Sequence, residues 1–277
     1  MAGPGSLLPT KYHQILNNQI MHLQNYLRRL GFEEQPEATA ETLIALHRAH
    51  VLQVPFENLH IMAGLPIKLD SESLYQKIVE QGRGGFCYEL NGLFREALEA
   101  IGFECFFISC NVHVPHIDGF AADFGHVALM VRAEADWYLT DVGFGDAFIE
   151  PLKLVFGEDQ LQHGIRYRLS RLEQGEVLLE KSADGEHYQK MFKFALKAHP
   201  LYAFEAMCLF HQTAAIAPFN KQQLCTRPTP DGRVTLTSKS LTITTMGQKQ
   251  EIVINGEADF EACLARYFNI YLQPVLQ

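Results

Sequence analysis

The chain has 277 residues, of which 47% are hydrophobic and 20% are charged, a composition typical of a globular protein with one or two domains. This composition excludes collagen-like chains, coiled coils and wholly disordered proteins, and no apolar run approaches the ~20 residues needed to cross a bilayer. The formal net charge is −9, whereas nucleic-acid binding needs a basic surface, so we expect neither a membrane nor a nucleic acid as a partner.

In chain order, an N-terminal extension is followed by helices. Residues 1–20 begin with Met-Ala-Gly-Pro-Gly-Ser and have no basic segment before an apolar one, so we expect a tag or a disordered extension and no secretory signal. After them, apolar side chains recur at helical spacing. The most regular helix is predicted over 90–101 and ends at Gly102. The Gly-Arg-Gly-Gly segment at 82–85 must be a loop, so Cys87 falls on the first turn of this helix or just before it.

After Gly102 the spacing of apolar residues changes to two, which predicts strands. The predicted strands are Cys105–Val112, His126–Arg132, Trp137–Val142, Ile165–Leu172, Glu176–Lys181, Val234–Leu236, Leu241–Thr245 and Glu251–Ile254. A final helix is predicted over Phe260–Leu272. Helices first, then strands, then a mixture of both indicate an α+β chain with segregated parts.

The cysteines and histidines do not predict a metal site. There are six cysteines and no two form a Cys-x-x-Cys pair, which favours free thiols in a reducing cytoplasm over a zinc site or a disulfide scaffold. His113 and His116 lie close together in sequence but lack an evident third ligand. We therefore predict a solvated loop at these two histidines and no bound metal.

Cys87 is the cysteine with the strongest case for a nucleophile. The thiolate is the reactive form of cysteine, and a helix N-terminus stabilises it. The preceding glycines allow a sharp turn and leave backbone N–H groups free to hold an oxyanion. The alternative is that Cys87 is a small buried apolar residue, as most cysteines are. The glycine-rich turn favours the functional interpretation at Cys87 and at none of the other cysteines.

A base for this thiol is predicted from strand geometry. A hairpin that turns near residue 134 pairs residues whose numbers sum to about 267–269, which places His126 and Asp141 on one face within ~5–8 Å at Cβ. A shift of one residue would separate them onto opposite faces. The alternative is that His126 only begins a strand and Asp141 only caps a turn. None of the other eleven histidines has an acidic residue placed this way by short-range geometry.

Four short segments of the chain carry motifs whose order along the sequence makes them more specific than any one of them alone. They are Val-Pro-Phe-Glu-Asn-Leu at 54–59, Arg-Gly-Gly-Phe-Cys-Tyr-Glu-Leu-Asn at 83–91, Gly-His at 125–126, and Leu-Thr-Asp-Val-Gly-Phe-Gly at 139–145. Together they resemble the motifs of the arylamine N-acetyltransferases, and 211–219 is similar more loosely. The resemblance covers residues 21–272, and Thr140 departs from the aliphatic residue more common in the family.

The resemblance implies an α+β fold in three parts, with a transglutaminase-like core of cysteine, histidine and aspartate. The parts would be a helical domain with the nucleophile (21–103), an antiparallel β-barrel-like domain with the histidine and aspartate (104–205) and an α/β lid (206–277). It also implies acetyl transfer from acetyl-CoA to an arylamine, arylhydrazine or N-hydroxyarylamine, without a metal. No oligomeric state is predicted.

The resemblance assigns roles to residues by their place in these segments. The implied catalytic residues are Cys87, His126 and Asp141. The implied supporting residues are Arg83, Glu57 and Asn91, with Glu57 and Arg83 as an ion pair that holds the loop before the thiol. The implied substrate-binding residues are Phe144, Phe86 and Phe124. The implied cofactor-binding residues are Gly143, Gly145, Thr213 and Phe219.

Other functions stay open at this point. A cysteine hydrolase, a transglutaminase-like enzyme or an amide synthase would use the same three residues, because a triad does not determine the acceptor. A binding module that keeps the fold without activity is a further alternative, against which the complete set of three residues argues. For individual residues the alternative is a purely structural role. Glu57 and Arg83 would then be an ordinary surface ion pair that contributes less than ~1 kcal/mol to stability. Phe144 would then only pack in the core.

Overall fold

The computed structural model describes residues 22–272. The expected tag or disordered extension at 1–20 lies outside the described residues. The described α-helices are α1 (22–29), α2 (Ala40–Gln53), α3 (Leu59–Met62), α4 (Ser71–Tyr75), α5 (Cys87–Ile101), α6 (Glu205–Thr213) and α7 (Glu257–Phe268). The described strands are β1 (Phe56–Glu57), β2 (Glu104–Val114), β3 (Gly119–Phe120), β4 (His126–Ala133), β5 (Asp136–Thr140), β6 (Leu152–Lys153), β7 (Asp159–Gln162), β8 (Ile165–Arg171), β9 (Val177–Ser182), β10 (Gln189–Phe194), β11 (Leu224–Thr229), β12 (Gly232–Thr237), β13 (Ser240–Thr245) and β14 (Gln248–Val253).

Helix α5 is a central element, and local chemistry determines both of its ends. It begins at Cys87, where the Glu89 carboxylate accepts a hydrogen bond at 3.1 Å from the N–H of Phe86. It ends at Gly102, whose φ of 117° lies in the left-handed region that glycine adopts without strain. Residues 87–94 are all buried, so the first half of the helix lies inside the core. The predicted helix end and the predicted position of the thiol are confirmed.

The central sheet is antiparallel and curls into a nearly closed barrel. Its strands follow the order β6-β5-β4-β2-β10-β9-β8-β7, and β3 pairs with β2. A side chain joins the two edges, since the Gln160 amide of β7 accepts from the Lys153 N–H at 2.8 Å and donates to the Lys153 carbonyl at 2.9 Å. Buried apolar side chains from seven of its strands, β2, β4, β5, β6, β8, β9 and β10, fill the interior of the barrel. The α+β class with a barrel-like centre is therefore confirmed.

A second antiparallel sheet connects the two halves of the chain. Its strand order is β1-β11-β12-β13-β14, and α7 packs against it through buried apolar side chains. Strand β1 comes from the helical part, and its Phe56 pairs with Thr226 of β11. The Glu57 N–H of β1 donates to the Gly85 carbonyl at 2.8 Å. This sheet is thus connected directly to the loop that precedes Cys87.

The eight predicted strands correspond to β2, β4, β5, β8, β9, β12, β13 and β14, while β1, β3, β6, β7, β10, β11 and helix α6 were not predicted. Strand β10 lacks a period of two because a bulge between Lys190 and Phe192 leaves two consecutive residues, Met191 and Phe192, buried. The predicted final helix is α7, which ends at Phe268 because Asn269 adopts a left-handed conformation. The three domain boundaries remain a prediction.

The prediction of a solvated loop is wrong for His113. This residue belongs to β2, pairs with Phe120 across the β2–β3 hairpin, and has its Nε2 3.0 Å from an oxygen of Asp118. The strand continues further than expected because β3 supplies a pairing partner for its end. His116 lies in the exposed turn of Pro115–Ile117.

Three structural properties bear on partners. Within residues 22–272, no three histidine, cysteine, aspartate or glutamate side chains are grouped so that they could hold a metal ion. No helix in the same range combines the length and the apolar character needed to span a bilayer. The six cysteines, all of which fall within the described chain, are free thiols.

We expect Gln162→Leu to lower the free energy of unfolding by about 2 kcal/mol. The side chain of Gln162 accepts hydrogen bonds from the N–H groups of Ile149 and Glu150, at 3.0 and 2.9 Å, and these donors would lose their partner. Urea unfolding measures the change. Gln250→Leu on the exposed strand β14 is the control, with an expected change below ~0.5 kcal/mol. Equal losses in both variants would contradict the assigned role of Gln162.

Candidate active site

Three separate segments of the chain meet at the first turn of α5. Cys87 is the first residue of the helix and is 3% exposed. The first N–H groups of a helix have no partners within it. The Glu89 N–H donates to the Phe86 carbonyl at 3.0 Å, which leaves the N–H groups of Cys87 and Tyr88 available to an oxyanion. The other two segments are the start of β4 and the loop after β5, which carry His126 and Asp141.

His126 connects the thiol to the carboxylate. Leu129 pairs with Thr140 in the β4–β5 hairpin, so the residue numbers sum to 269, one of the predicted registers. Nε2 of His126 lies 2.6 Å from Oδ2 of Asp141, and the His126 ring and Cys87 line the same cavity. Since Nε2 is occupied by the carboxylate, Nδ1 is the nitrogen left for the thiol. The structure therefore brings the three predicted catalytic residues into one row.

The electrostatics of this row favour a charged imidazole. Burial by itself lowers the pKa of His126, because it removes the cation from water. The charge of Asp141 and its hydrogen bond, together with the side chain of Cys87, outweigh burial and raise the pKa of His126 to about 10. The imidazolium form is thus the stable one at neutral pH.

The Asp141 carboxylate is held by further hydrogen bonds. Its Oδ1 accepts from Asn91 Nδ2 at 3.0 Å and from the Gly143 N–H at 2.9 Å. Asn91 lies one helical turn after Cys87 and also donates to the Val127 carbonyl at 2.8 Å. A Cβ at position 143 would lie 2.6 Å from the Cα of Cys87, so only glycine allows this close approach. The predicted supporting residue Asn91 therefore couples the helix, β4 and the aspartate.

A buried cluster of four charges lies on the other side of the thiol. The Arg83 guanidinium donates to Glu57 at 2.8 Å, and the Lys77 ammonium donates to Glu89 at 2.7 Å. Burial tends to raise the pKa of Glu57, but the cations of Lys77 and Arg83 outweigh it and lower this pKa. The structure thus brings together the predicted pair Glu57 and Arg83. Lys77 and Glu89 were not predicted, although the position of Glu89 three residues after Phe86 is a capping signal.

A cavity of about 460 Å³ opens next to the thiol and the imidazole. The predicted binding residues that line it are Gly143, Phe144, Gly145 and Phe219. The Phe144 and His126 rings are nearly perpendicular, with 5.1 Å between ring centroids. Val112, Leu224, Thr226 and Arg233 also line it and were not predicted. Arg233 donates to the Gly145 carbonyl, which links this wall to the second sheet.

The structure places three predicted binding residues away from the lining of this cavity. Phe86 is fully buried and packs against Tyr88, with 5.0 Å between ring centroids. The Phe124 carbonyl accepts a hydrogen bond from the Tyr88 hydroxyl at 2.7 Å, and its ring packs on Phe204. Thr213 lies at the end of α6 and donates to the Leu209 carbonyl at 2.8 Å. Their binding roles remain predictions.

A further histidine supports the loop that carries Asp141. His47 of α2 is fully buried, and its ring nitrogens contact the backbone of Asp141 and of Ile149. Burial lowers the pKa of His47 to about 4, so the ring is neutral at physiological pH. In the sequence His47 is only one member of an apolar helical stripe, and no local signal indicated this contact.

A thiol, an imidazole and a carboxylate in this order define the class of cysteine enzymes that form covalent acyl intermediates. A sequence model of a family described as N-acetyltransferase matches residues 39–276. The arylamine N-acetyltransferase pineal gland isozyme NAT-3 of Gallus gallus is 32% identical over 278 residues, which covers 91% of this chain and 95% of that protein. The chain belongs to the arylamine N-acetyltransferase family.

Solved structures agree with this membership. The arylamine N-acetyltransferase of Salmonella typhimurium superposes with a TM-score of 0.86 and 29% identity, over 92% of this chain and 93% of that one. The Mycobacterium marinum arylamine N-acetyltransferase in complex with CoA has a TM-score of 0.82 and 27% identity, over 90% and 92% of the two chains. The similarity therefore extends over nearly the whole of each protein.

The pKa values of the two buried histidines should be shifted in opposite directions from the ordinary value. At pH 7.5 we expect His126 to be an imidazolium, because its pKa is raised to about 10, and His47 to be neutral, because its pKa is lowered to about 4. The contribution of the His126–Asp141 pair to the free energy of unfolding is therefore complete below about pH 6.5 and is lost as the pH rises through about 10. ¹⁵N spectra of the histidine rings measure both states.

Two variants make this titration assignable. His126→Gln removes the signal of that ring, and Asp141→Asn should move the pKa of His126 back towards its ordinary value, because the main favourable charge is gone. A neutral His126 ring at pH 7.5 in the unsubstituted protein would contradict the proposed charge state.

Proposed function

We propose that the protein transfers an acetyl group from acetyl-CoA to the nitrogen of arylamines, arylhydrazines or N-hydroxyarylamines. The observation that carries this proposal is the buried row of Cys87, His126 and Asp141 at a cavity of small-molecule size, in a member of this family. The Gallus gallus and Mycobacterium marinum relatives, named for arylamine acetylation and, in the second case, bound to CoA, support the donor and the acceptor.

The first half-reaction forms an acetyl-enzyme. The Cys87 thiolate attacks the thioester carbonyl of acetyl-CoA, and backbone N–H groups at the start of α5 stabilise the oxyanion. The carbon–sulfur bond to CoA then breaks, and the departing sulfur takes the proton of the His126 imidazolium. This step leaves an acetyl thioester on Cys87, a neutral His126 ring and free CoA.

The second half-reaction transfers the acetyl group. The amine nitrogen attacks the acetyl carbon, and His126 accepts the proton that the nitrogen loses. The bond between the acetyl carbon and the Cys87 sulfur breaks, which restores the thiolate beside the imidazolium. Asp141 keeps the ring oriented in both halves, as its 2.6 Å contact with Nε2 requires.

The cavity supports the proposed contacts with substrates. Phe144 places an aromatic ring on the cavity wall beside His126, which suits an aromatic acceptor. Gly143 and Gly145 leave the backbone open to close approach by the cofactor, and Phe219 lies on the same wall. Thr213 is retained as a proposed cofactor contact, as are Phe86 and Phe124 for the substrate, on the strength of the resemblance alone.

The alternatives differ in the acceptor. A hydrolase would pass the acetyl group to water, and an amide synthase would need room for a larger acyl chain. A volume of about 460 Å³ is within the ~300–1,000 Å³ typical of small-molecule sites and favours a small amine over a macrocycle. The complete triad disfavours a non-catalytic module. A cytoplasmic role in acetylating foreign amines is the setting we propose, which the free cysteines support.

Mixing the protein with acetyl-CoA should add the mass of one acetyl group, on Cys87. Intact mass and peptide mapping measure this adduct, which Cys87→Ala should abolish while Cys263→Ala retains it, since Cys263 lies on α7 and packs against the second sheet. The rate of product formation in Cys87→Ala should fall at least ~10³-fold. Near-normal product formation by this variant would overturn the assignment.

The fate of the acetyl group then separates the transferase from the hydrolase. An isolated acetyl-enzyme should be stable in buffer and should lose its acetyl group on addition of an aromatic amine, with formation of the N-acetylated product. Rapid loss in buffer that added amine does not accelerate would identify a hydrolase instead.

A further inference from the structure

His47 is not part of the predicted site, yet it contacts both ends of the loop that carries Asp141. This loop, residues 141–149, follows β5 and supplies part of the cavity wall. Nδ1 of His47 lies 2.7 Å from the Ile149 carbonyl oxygen, and the Asp141 N–H lies 3.2 Å from Nε2. One imidazole from α2 therefore connects the first and the last residue of the loop.

The hydrogen-bond pattern determines where the single ring proton lies. The Ile149 carbonyl can only accept, so Nδ1 must carry a proton. Because the buried ring is neutral, Nε2 has a free lone pair and accepts the hydrogen bond from the Asp141 N–H. The Asp141 carbonyl, 3.1 Å from Nε2, would need a second ring proton to form a bond. Both nitrogens are thus used, one at each end of the loop.

Neighbouring contacts make this arrangement rigid. The Phe148 ring stacks on the His47 ring, with 5.6 Å between centroids and 19° between planes. Arg48, the next residue of α2, pairs with Glu150 just beyond the loop. The charged or titratable groups that act on His47 are Asp141, Glu150 and, one helical turn further on, His50.

We propose that His47 is a positioning residue of the active site, which fixes the backbone of Asp141 and thereby directs its carboxylate towards His126. The inference rests on the proposed function, because it assigns His47 an effect on the reactivity of Cys87. The Asp141 side chain is only as well placed as its backbone, and a displacement of about 1 Å in such a group can cost about 100-fold in rate.

The test is the pH dependence of the alkylation of Cys87 by iodoacetamide, followed by peptide mass spectrometry. His47→Phe keeps a ring against Phe148 but removes both hydrogen bonds. We expect alkylation at pH 7 to slow about tenfold or more, with the midpoint of the pH profile shifted upward, because a weaker contact with Asp141 stabilises the imidazolium less. His47→Gln, whose carboxamide offers both a donor and an acceptor, should recover most of the rate.

His50→Phe is the matched control. His50 is on the same helix, is equally buried and forms a hydrogen bond with the Tyr26 hydroxyl, away from the loop. This variant should lose stability on thermal unfolding but keep the alkylation profile of the unsubstituted protein. If His47→Phe does not fold, His47→Met removes the same hydrogen bonds with a flexible apolar side chain and takes its place.

The outcomes separate this inference from the proposed function. Identical alkylation profiles in the His47 and His50 variants, or equal slowing in both, would overturn the positioning role while leaving acetyl transfer intact. A protein that acetyl-CoA does not acetylate on Cys87 would overturn the proposed function. The alkylation comparison does not need acetyl-CoA, so it would still decide whether His47 acts on the thiol.

Discussion

The hydrogen bond between His126 and Asp141 is the interaction on which the rest of the site depends. Both side chains are almost fully buried, where an unpaired charge would be very costly, and at 2.6 Å each compensates the other. The remaining carboxylate oxygen is satisfied by Asn91 and by the Gly143 N–H. The histidine can therefore stay cationic next to the cavity that Cys87 also lines, which is the state that a nucleophilic thiol requires.

The start of α5 is held by polar contacts on two sides, and this explains why the thiol can be both buried and fixed. On one side lie the aspartate and its partners. On the other side, Glu57, Lys77, Arg83 and Glu89 form a charge cluster in which each ion has an opposite neighbour. Breaking such a cluster leaves an uncompensated buried charge, so these residues oppose rearrangement of the loop before Cys87. Prior placement of the reacting groups is a large part of what an enzyme contributes to the rate.

Under the proposed function, the chemistry and the choice of acceptor come from different parts of the chain. The proposed catalytic row belongs to α5 and the β4–β5 region, whereas the cavity is also walled by Leu224, Thr226 and Arg233 of the second sheet. Strand β1 and the hydrogen bond from Arg233 to Gly145 connect the two regions. Membership of the arylamine N-acetyltransferase family accounts for the shared chemistry. The walls are where members of one family can differ in the acceptor they admit, because a triad alone does not select it.

By itself, the sequence determined the class of fold, placed Cys87 on or just before the first turn of its helix, and limited the β4–β5 hairpin to registers that put His126 and Asp141 on one face. The family followed from the resemblance of four short motifs. These features depend on spacing within short segments, where periodicity, turn length and glycine positions act locally. The strand β10, with its bulge, and the two-residue strand β1 carry no such local signal. Only the tertiary structure decided the cavity walls, the partners Lys77 and Glu89, and the contact of His47 with Asp141 from 94 positions away. The physical reason is that such contacts depend on how distant elements pack, which no local pattern of residues specifies.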